Sequence, residues 1–324
     1  MPIRSTRNLE SYYDRFSTSG AGGPEYIWGQ LSMVGDRGLF MAGSDPSSVV
    51  DISYITISST GNGTDFGDLT GSGVIVPGAC SSDAGRGVRA GGYSFTDIID
   101  YVTIANTGNA TDFGDMSQSK SDLGCVSNGT RGILAGGAPS PTQGQKMDYI
   151  TIANTGNSSD FGDITATDGK ARFASVNNAT RGVFMGGDNE RASADEIDYI
   201  TMATLGNSSN FGDILQGGGY QAGLSGNTDR GLAGGSYSPG SDVIQYITIS
   251  TTGDAVDFGN LIASKGGCYG VSNGTRGCFG GGQLTSGGSK TNQIDYVATA
   301  TLGNATDFGN MATAIGFGAG TSGD

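Results

Sequence analysis

One phrase is written six times along this chain, and that repetition limits the fold more than any other feature. A Tyr-Ile-Thr-like segment recurs, in varied form, at Tyr54, Tyr101, Tyr149, Tyr199, Tyr246 and Tyr296, at steps of 47, 48, 50, 47 and 50 residues. Twelve residues after each Tyr stands a Phe: Phe66, Phe113, Phe161, Phe211, Phe258 and Phe308. An Arg-Gly pair marks each unit at Arg37, Arg86, Arg131, Arg181, Arg230 and Arg276, followed closely by a small-residue pair, usually Gly-Gly. Each unit reads as four short strands: a Gly/Ser/Ala-rich one such as "RFASVNNAT", then "RGVFMGG", then "IDYITMATLGN", then one opening at "DFGD". Four strands in just under fifty residues make one blade of a β-propeller. Residues that tolerate positive φ, Thr-Gly-Asn or Leu-Gly-Asn and Asn-Gly-Thr or Asn-Ala-Thr, fall where tight hairpins need them. A parallel β-solenoid competes, but its coils are shorter and do not call for four turn signals per period. The expected fold is all-β, a six-bladed propeller over residues 25–324, with residues 1–24 as an N-terminal arm.

Composition agrees. Glycine supplies 60 of the 324 residues, far above the usual level of roughly 7 per cent, and it is spread among Ile, Val, Thr and Tyr without a collagen period. The net charge is −14, and the Lys and Arg form no basic run. Nucleic acid is therefore not expected as a partner. No apolar stretch approaches a membrane span and the start, "MPIRSTRNLESYYDRF", lacks the apolar segment of a secretory signal, so membrane insertion and export by that route are not expected. Cys80, Cys125, Cys268 and Cys278 have no metal-type spacing and read as buried thiols. The chain has no His, which removes Ser-His and Cys-His nucleophile systems and most zinc or copper sites.

The order "R-G-x-x-x-G-G", a variable gap, "I-D-Y-I-T-I-A", a turn, then an aromatic resembles Kelch repeats, with Phe161 and its equivalents in the Trp place. More narrowly, "DYVTIANTGNATDFGD" is similar to a Kelch-like repeat of marine tailed bacteriophages, including phages of cyanobacteria. The resemblance covers about residues 25–324. It implies a non-enzymatic virion component, tail-associated or capsid-decorating, that touches other virion proteins or a host-surface glycan or protein. Departures exist: "RGLAGG" in unit five is one residue short, unit one has Ala42-Gly43-Ser44, unit six has "YVATA", and Asn260 and Asn310 replace the second acidic residue of the DFGD phrase. After the sixth copy, "MATAIGFGAGTSGD" reads as the first strand of a seventh period. It is expected to close the ring by pairing with the first blade, whose own opening strand "WGQLSMVGD" is short.

The Asp-Phe-Gly triplet lacks every other part of a protein kinase, so its magnesium role is not expected. In an up-and-down blade the turns after strands one and three share a face. The six arginines should therefore ring the same face as Asp65, Asp112, Asp160, Asp257 and Asp307, with repeated Arg to Asp contacts, the Asp fixing the turn and the Phe packing between blades. Calcium on Asn157, Asp160 and Asp163 is the functional alternative, but the spacing of familiar calcium loops is absent; no cofactor or metal is expected. Eight Asn-x-Ser/Thr triplets, among them Asn128, Asn178 and Asn273, are read as turn chemistry, not as glycan acceptors.

The other face carries connections of unequal length: 10, 8, 11, 11, 10 and 13 residues separate the small pair from the next Tyr. Recognition usually lives on such variable loops above a rigid scaffold. Tyr93, Asn189, Arg191 and Tyr237 are candidate contacts there, and Tyr12, Tyr13 and Phe16 are candidates in the arm, which is expected to dock on its own propeller or on a second copy of the chain. Trp28 is expected to pack in blade one. Two further functions stay open. A sialidase-like propeller can work without His but needs an arginine cluster and a Tyr/Glu pair in one central pocket. A Kelch-type intracellular adaptor is the other, and no appended interaction domain supports it.

Overall fold

A computed structural model of the chain describes residues 35–323, apart from residues 46, 72–77, 82–84, 93–94, 140–143, 166–168, 189–194, 227–228, 238 and 286–287. Six four-stranded antiparallel sheets form the blades of a β-propeller, and a two-residue strand pair, Lys265–Gly266 with Gln283–Leu284, links the connection between blades five and six to the blade-six loop. In blade one the strand Arg37–Asp45 lies between Ser47–Thr56 and the C-terminal strand Ala319–Gly323. The tail thus supplies the innermost strand of the first blade, pairing Arg37 with Gly323 through Met41 with Ala319. Expected strand "WGQLSMVGD", Trp28 and the arm lie almost wholly outside the described residues.

Six innermost strands surround the axis: Gly78–Ser81, Gly124–Ser127, Ala174–Asn177, Ala222–Ser225, Tyr269–Ser272 and Ala319–Gly323, each in contact with the next. Their sequences are poor in large residues because the backbones nearly touch. A Cβ added at Gly223, Gly270 or Gly320 would collide with the backbone of the preceding blade's strand. The last position before the turn is Ser127, Asn177, Ser225, Ser272 and Ser322 in five of the strands, and these polar groups bond across blades. Asn177 Nδ2 donates to the Ser127 carbonyl at 2.5 Å and Ser322 Oγ to the Ser272 carbonyl at 2.6 Å. The axis holds a cavity of only about 70 Å³ at this level.

The Gly of each Arg-Gly pair is explained by the neighbouring blade. A Cβ at Gly182 would lie 2.5 Å from Cγ2 of Val126, one at Gly277 would lie 2.6 Å from Leu224, and one at Gly38 would lie 2.7 Å from Val271. The missing side chain is the slot into which the previous blade's inner strand inserts.

The Asp-Phe-Gly question is answered at the circumference. The Phe carbonyl of each outer strand accepts the N–H of the turn glycine in the next blade: Phe66 from Gly108 at 2.7 Å, Phe161 from Gly206 at 2.9 Å, and Phe308 from Gly61 at 2.9 Å across the seam. The residue two further on donates its N–H to the turn side chain, as Asp115 does to Asn157 Oδ1 at 3.1 Å and Asn310 to Asn62 Oδ1 at 3.1 Å. Its carbonyl accepts a third bond, from Ser158 to Asp115 for instance, at 2.8 Å. The glycine between them has φ near 150°, and at Gly114 a Cβ would sit 2.5 Å from the Gly156 carbonyl carbon. The phrase is an inter-blade clasp built from backbone.

Beneath it each Phe packs between two blades. Phe66 is buried with Leu39, Met41 and Ile52 of its own blade and with Val102 and Ile104 of the next. Its ring meets Tyr54 edge-on at 6.1 Å, and the guanidinium of Arg37 stacks over that Tyr at 4.7 Å. The same Arg, Tyr and Phe stack recurs in every blade.

A second repeated feature is the residue before each Tyr. Asp100, Asp148, Asp198 and Asp295 are buried there, and each has a buried cation close by. Arg89 pairs with Asp100, Lys170 with Asp198 at 2.6 Å, and Lys265 with Asp295 at 3.4 Å. Lys120 donates to the Lys146 carbonyl at 3.0 Å within the field of Asp148. Burial lowers the Lys120 ammonium and raises the Asp295 carboxyl, in each case against the pull of the partner charge. Blades one and five carry Ser53 and Gln245 in this place, and there the amide of Gln245 bonds the Leu215 N–H at 2.7 Å and the Gln216 carbonyl at 3.2 Å. A buried charge survives only with its counter-charge.

Candidate functional site

The six equivalent arginines, Arg37, Arg86, Arg131, Arg181, Arg230 and Arg276, do not meet the carboxylates expected for them. Each donates instead to a backbone carbonyl at the end of the third strand in the next blade: Arg37 to Ile104 at 2.7 Å, Arg86 to Ile152 at 2.9 Å, Arg131 to Met202 at 2.9 Å, and Arg181 to Ile249 at 3.2 Å. Arg230 reaches Thr299 at 3.1 Å and Arg276 reaches Ile57 at 3.0 Å. The physical reason is the stacked Tyr, which holds the guanidinium plane over the ring and aims its edge along the strand end, where carbonyls are available. Asp65, Asp112, Asp160, Asp257 and Asp307 are exposed, so they do not fix the turn by side chain. That task falls to Asn62, Asn109, Asn157, Asn207, Asp254 and Asn304.

The calcium grouping is undone by the same bonds: Asn157 Oδ1 is engaged by Asp115, and Asp163 pairs with half-buried Lys146 at 2.8 Å. Among the described residues no group of three or more His, Cys, Asp or Glu side chains is arranged to hold a metal ion. Asn128, Asn178 and Asn273 accept the N–H of the Arg three residues on at 2.8, 2.8 and 2.9 Å, as turn chemistry predicts.

The opposite face has a different character. Two residues before five of the six inner strands, the chain reaches the axial mouth at Asp122, Arg172, Tyr220, Gly267 and Phe317, with φ of 59°, 60°, 64°, 64° and 61°. Four non-glycine residues in the left-handed region each cost roughly 1–2 kcal/mol, and such strain persists where surrounding bonds over-determine it. Here the bonds run around the axis. Arg172 N–H donates to the Asp122 carbonyl at 2.9 Å, Tyr220 to Arg172 at 2.7 Å, Gly267 to Tyr220 at 2.8 Å and Phe317 to Gly267 at 2.7 Å. The backbone position is uniform while the side chains differ in kind.

These side chains gather with Tyr237, the one loop candidate inside the described residues, which is 38 % exposed. Tyr220, Tyr237 and Phe317 form an edge-to-face trio with centroids 4.9 to 6.3 Å apart. The Phe317 ring lies over Gly267, where a Cβ would come within 2.5 Å of it. On the polar side, Arg172 bonds Asp122 at 3.1 Å and Asp188 at 3.0 Å and lies 5.1 Å over the Tyr220 ring. Lys290 Nζ lies 3.9 Å over Phe317 and bonds Gln283 Oε1 at 3.3 Å. A recess of about 80 Å³ opens between Asp122, Arg172, Tyr220 and Phe317.

Burial raises the Asp122 carboxyl in spite of Arg172. Burial would lower the Arg172 guanidinium, but Asp122, Tyr220 and Asp188 hold it above its ordinary value. The Tyr220 phenol is pushed well up, by burial first and then by the negative charge of Asp122. It stays protonated, a hydrogen-bonding group in place of a nucleophile.

No residue-type motif announces this mouth; the signal available in the sequence was positional, the second residue before each small-residue strand. The candidates Tyr12, Tyr13, Phe16, Tyr93, Asn189 and Arg191 lie outside the described residues. Compared with known proteins, the chain matches no family model and no curated sequence.

Proposed function

We propose that this chain is a non-enzymatic recognition module, and that it serves as a virion component whose variable face contacts a host surface or another virion protein. The observation that carries the recognition reading is the axial mouth, where one backbone geometry presents Asp122, Arg172, Tyr220 and Phe317 side by side. The repeated Arg, Tyr, Phe and turn Asn are spent on holding blades together. Diversity confined to one end of a rigid barrel of sheets is how a binding scaffold is organised. The virion setting rests on the likeness of "DYVTIANTGNATDFGD" to repeats of marine tailed phages.

A sialidase-like reading is less well supported. Its nucleophile would be a tyrosine with a depressed pKa beside a glutamate, whereas Tyr220 is shifted upward and its acidic neighbour is Asp122. Among the described residues, the arginine at the mouth, Arg172, is already committed to two carboxylates.

Quantitative mass spectrometry of purified particles of a phage encoding this chain tests the setting. Hundreds of copies per particle indicate capsid decoration, and a few to a few dozen indicate a tail or fibre position. Absence from the particle overturns the virion reading.

A further inference from the structure

We infer that the axial mouth binds a neutral saccharide, seated against the ring of Tyr237 with its hydroxyls bonded by the Asp188 and Arg172 pair. This deepens the recognition reading above and rests on it. The inference comes from what the cluster has already used up.

A cationic ligand would need open aromatic faces or uncommitted carboxylates. Lys290 already sits 3.9 Å over Phe317 and Arg172 already sits 5.1 Å over Tyr220. Both Asp122 and Asp188 are engaged by Arg172. An anionic ligand would need the Arg172 fork, which those carboxylates hold, and would approach a chain of net charge −14. Among the described residues of the cluster, the two Asp stand against Arg172 and Lys290 and their charges cancel. A locally neutral mouth on an acidic protein selects against charge of either sign.

What remains is an apolar ring face next to polar groups with spare hydrogen-bonding capacity. Tyr237 is 38 % exposed, and Asp188 and Arg172 are 24 % and 22 % exposed, so both parts are within reach of solvent. Carboxylate oxygens accept more than one bond and the guanidinium carries five N–H donors. A pyranose has the matching pattern, with a face of C–H groups and a rim of hydroxyls that both donate and accept. The recess of about 80 Å³ is well below the roughly 300–1,000 Å³ of an enclosing small-molecule pocket. The sugar therefore stands on the mouth and inserts one substituent between Asp122 and Tyr220, as suits the end of a longer glycan.

The test is saturation-transfer NMR on the full chain with neutral oligosaccharides ending in glucose, galactose, mannose or N-acetylglucosamine, alongside sialylated and sulfated glycans and choline. Transfer to at least one neutral glycan is expected, with affinity falling about tenfold or more, ~1.4 kcal/mol, in Tyr237→Ala and in Asp188→Asn. Leu205→Ala, on the opposite face, should leave binding unchanged. Circular dichroism and thermal melting of each variant separate loss of contact from loss of fold, and Tyr237→Phe should retain binding if Ala does not fold. Transfer to none of the neutral set, tighter binding of a charged ligand, or full binding by folded Tyr237→Ala overturns the inference. A chain present in particles yet blind to every neutral glycan would leave the virion reading standing and remove this one; the reverse pair of results would do the opposite.

Discussion

The guanidinium of Arg276 in the sixth blade donates to the carbonyl of Ile57 in the first at 3.0 Å, the bond that Arg37 makes to Ile104 between blades one and two at 2.7 Å. The seam between the last blade and the first is therefore fastened like the interior junctions, with the Gly61 to Phe308 clasp beside it at 2.9 Å.

Arg276→Ala should destabilise the fold by about 1–3 kcal/mol. A charge-assisted hydrogen bond contributes ~1.5–3 kcal/mol and a cation over an aromatic ring ~0.5–2 kcal/mol, partly offset by solvation of the freed groups. Arg276→Lys should recover little, because an ammonium cannot lie flat on Tyr296 while pointing a donor along the strand end. Urea denaturation midpoints of the three proteins check this, and a Lys variant equal to the parent would refute the stacked geometry.

Removing residues 311–324 takes away the inner strand of blade one and bares the edge of Arg37–Asp45. The melting temperature should drop sharply, and the exposed edge should promote association visible by gel filtration. An unchanged melting temperature would show that the ring closes by other means.

Gly182→Ala should cost about 1–3 kcal/mol through overpacking, since the new methyl would lie 2.5 Å from Val126 Cγ2. Adding Val126→Ala should restore part of that loss. A double-mutant cycle in chemical denaturation measures the coupling, and additive effects would mean that the two residues do not share the slot.

Breaking one buried ion pair should be worse than removing it. Lys265→Met leaves Asp295 without its cation and should cost roughly 3–5 kcal/mol, whereas Lys265→Met with Asp295→Leu should regain most of it. Thermal unfolding of the single and double variants decides. The chain supports the expectation internally, since blades with Ser53 or Gln245 in the Asp place dispense with the paired lysine.

Burial pushes the Cys268 thiol up to about 11 and the Cys278 thiol up to about 12, from an ordinary value of 9.0. The folded protein therefore keeps protons that the unfolded chain releases above pH 9, and stability contributed by these thiols is lost as pH rises from about 9 to 12. Maleimide labelling mapped by mass spectrometry should find both sites inert at pH 8 until the protein is unfolded. Rapid labelling of the native protein would contradict their burial.

Much of this architecture was legible because it is periodic. The Tyr to Phe interval fixed strands three and four, and the Arg-Gly marker fixed the start of strand two. Partner identity was not legible: a guanidinium expected to meet aspartates on its own face met carbonyls, because stacking on Tyr54 and its equivalents sets its direction. The buried Asp100, Asp198 and Asp295 did leave a trace, since each is matched within the chain by Arg89, Lys170 or Lys265. The mouth left almost none. Asp, Arg, Tyr and Phe share no propensity for the left-handed conformation, and only hydrogen bonds between distant segments place them there.

Because those bonds pass through backbone atoms alone, the mouth works like a row of identical sockets. A different residue plugged in at 220 or 317 alters what is displayed while the backbone bonds around the axis remain, whereas 122 and 172 are also tied to each other through their side chains. What the mouth displays and what closes the ring thus rest largely on different atoms, side chains for the one and backbone for the other.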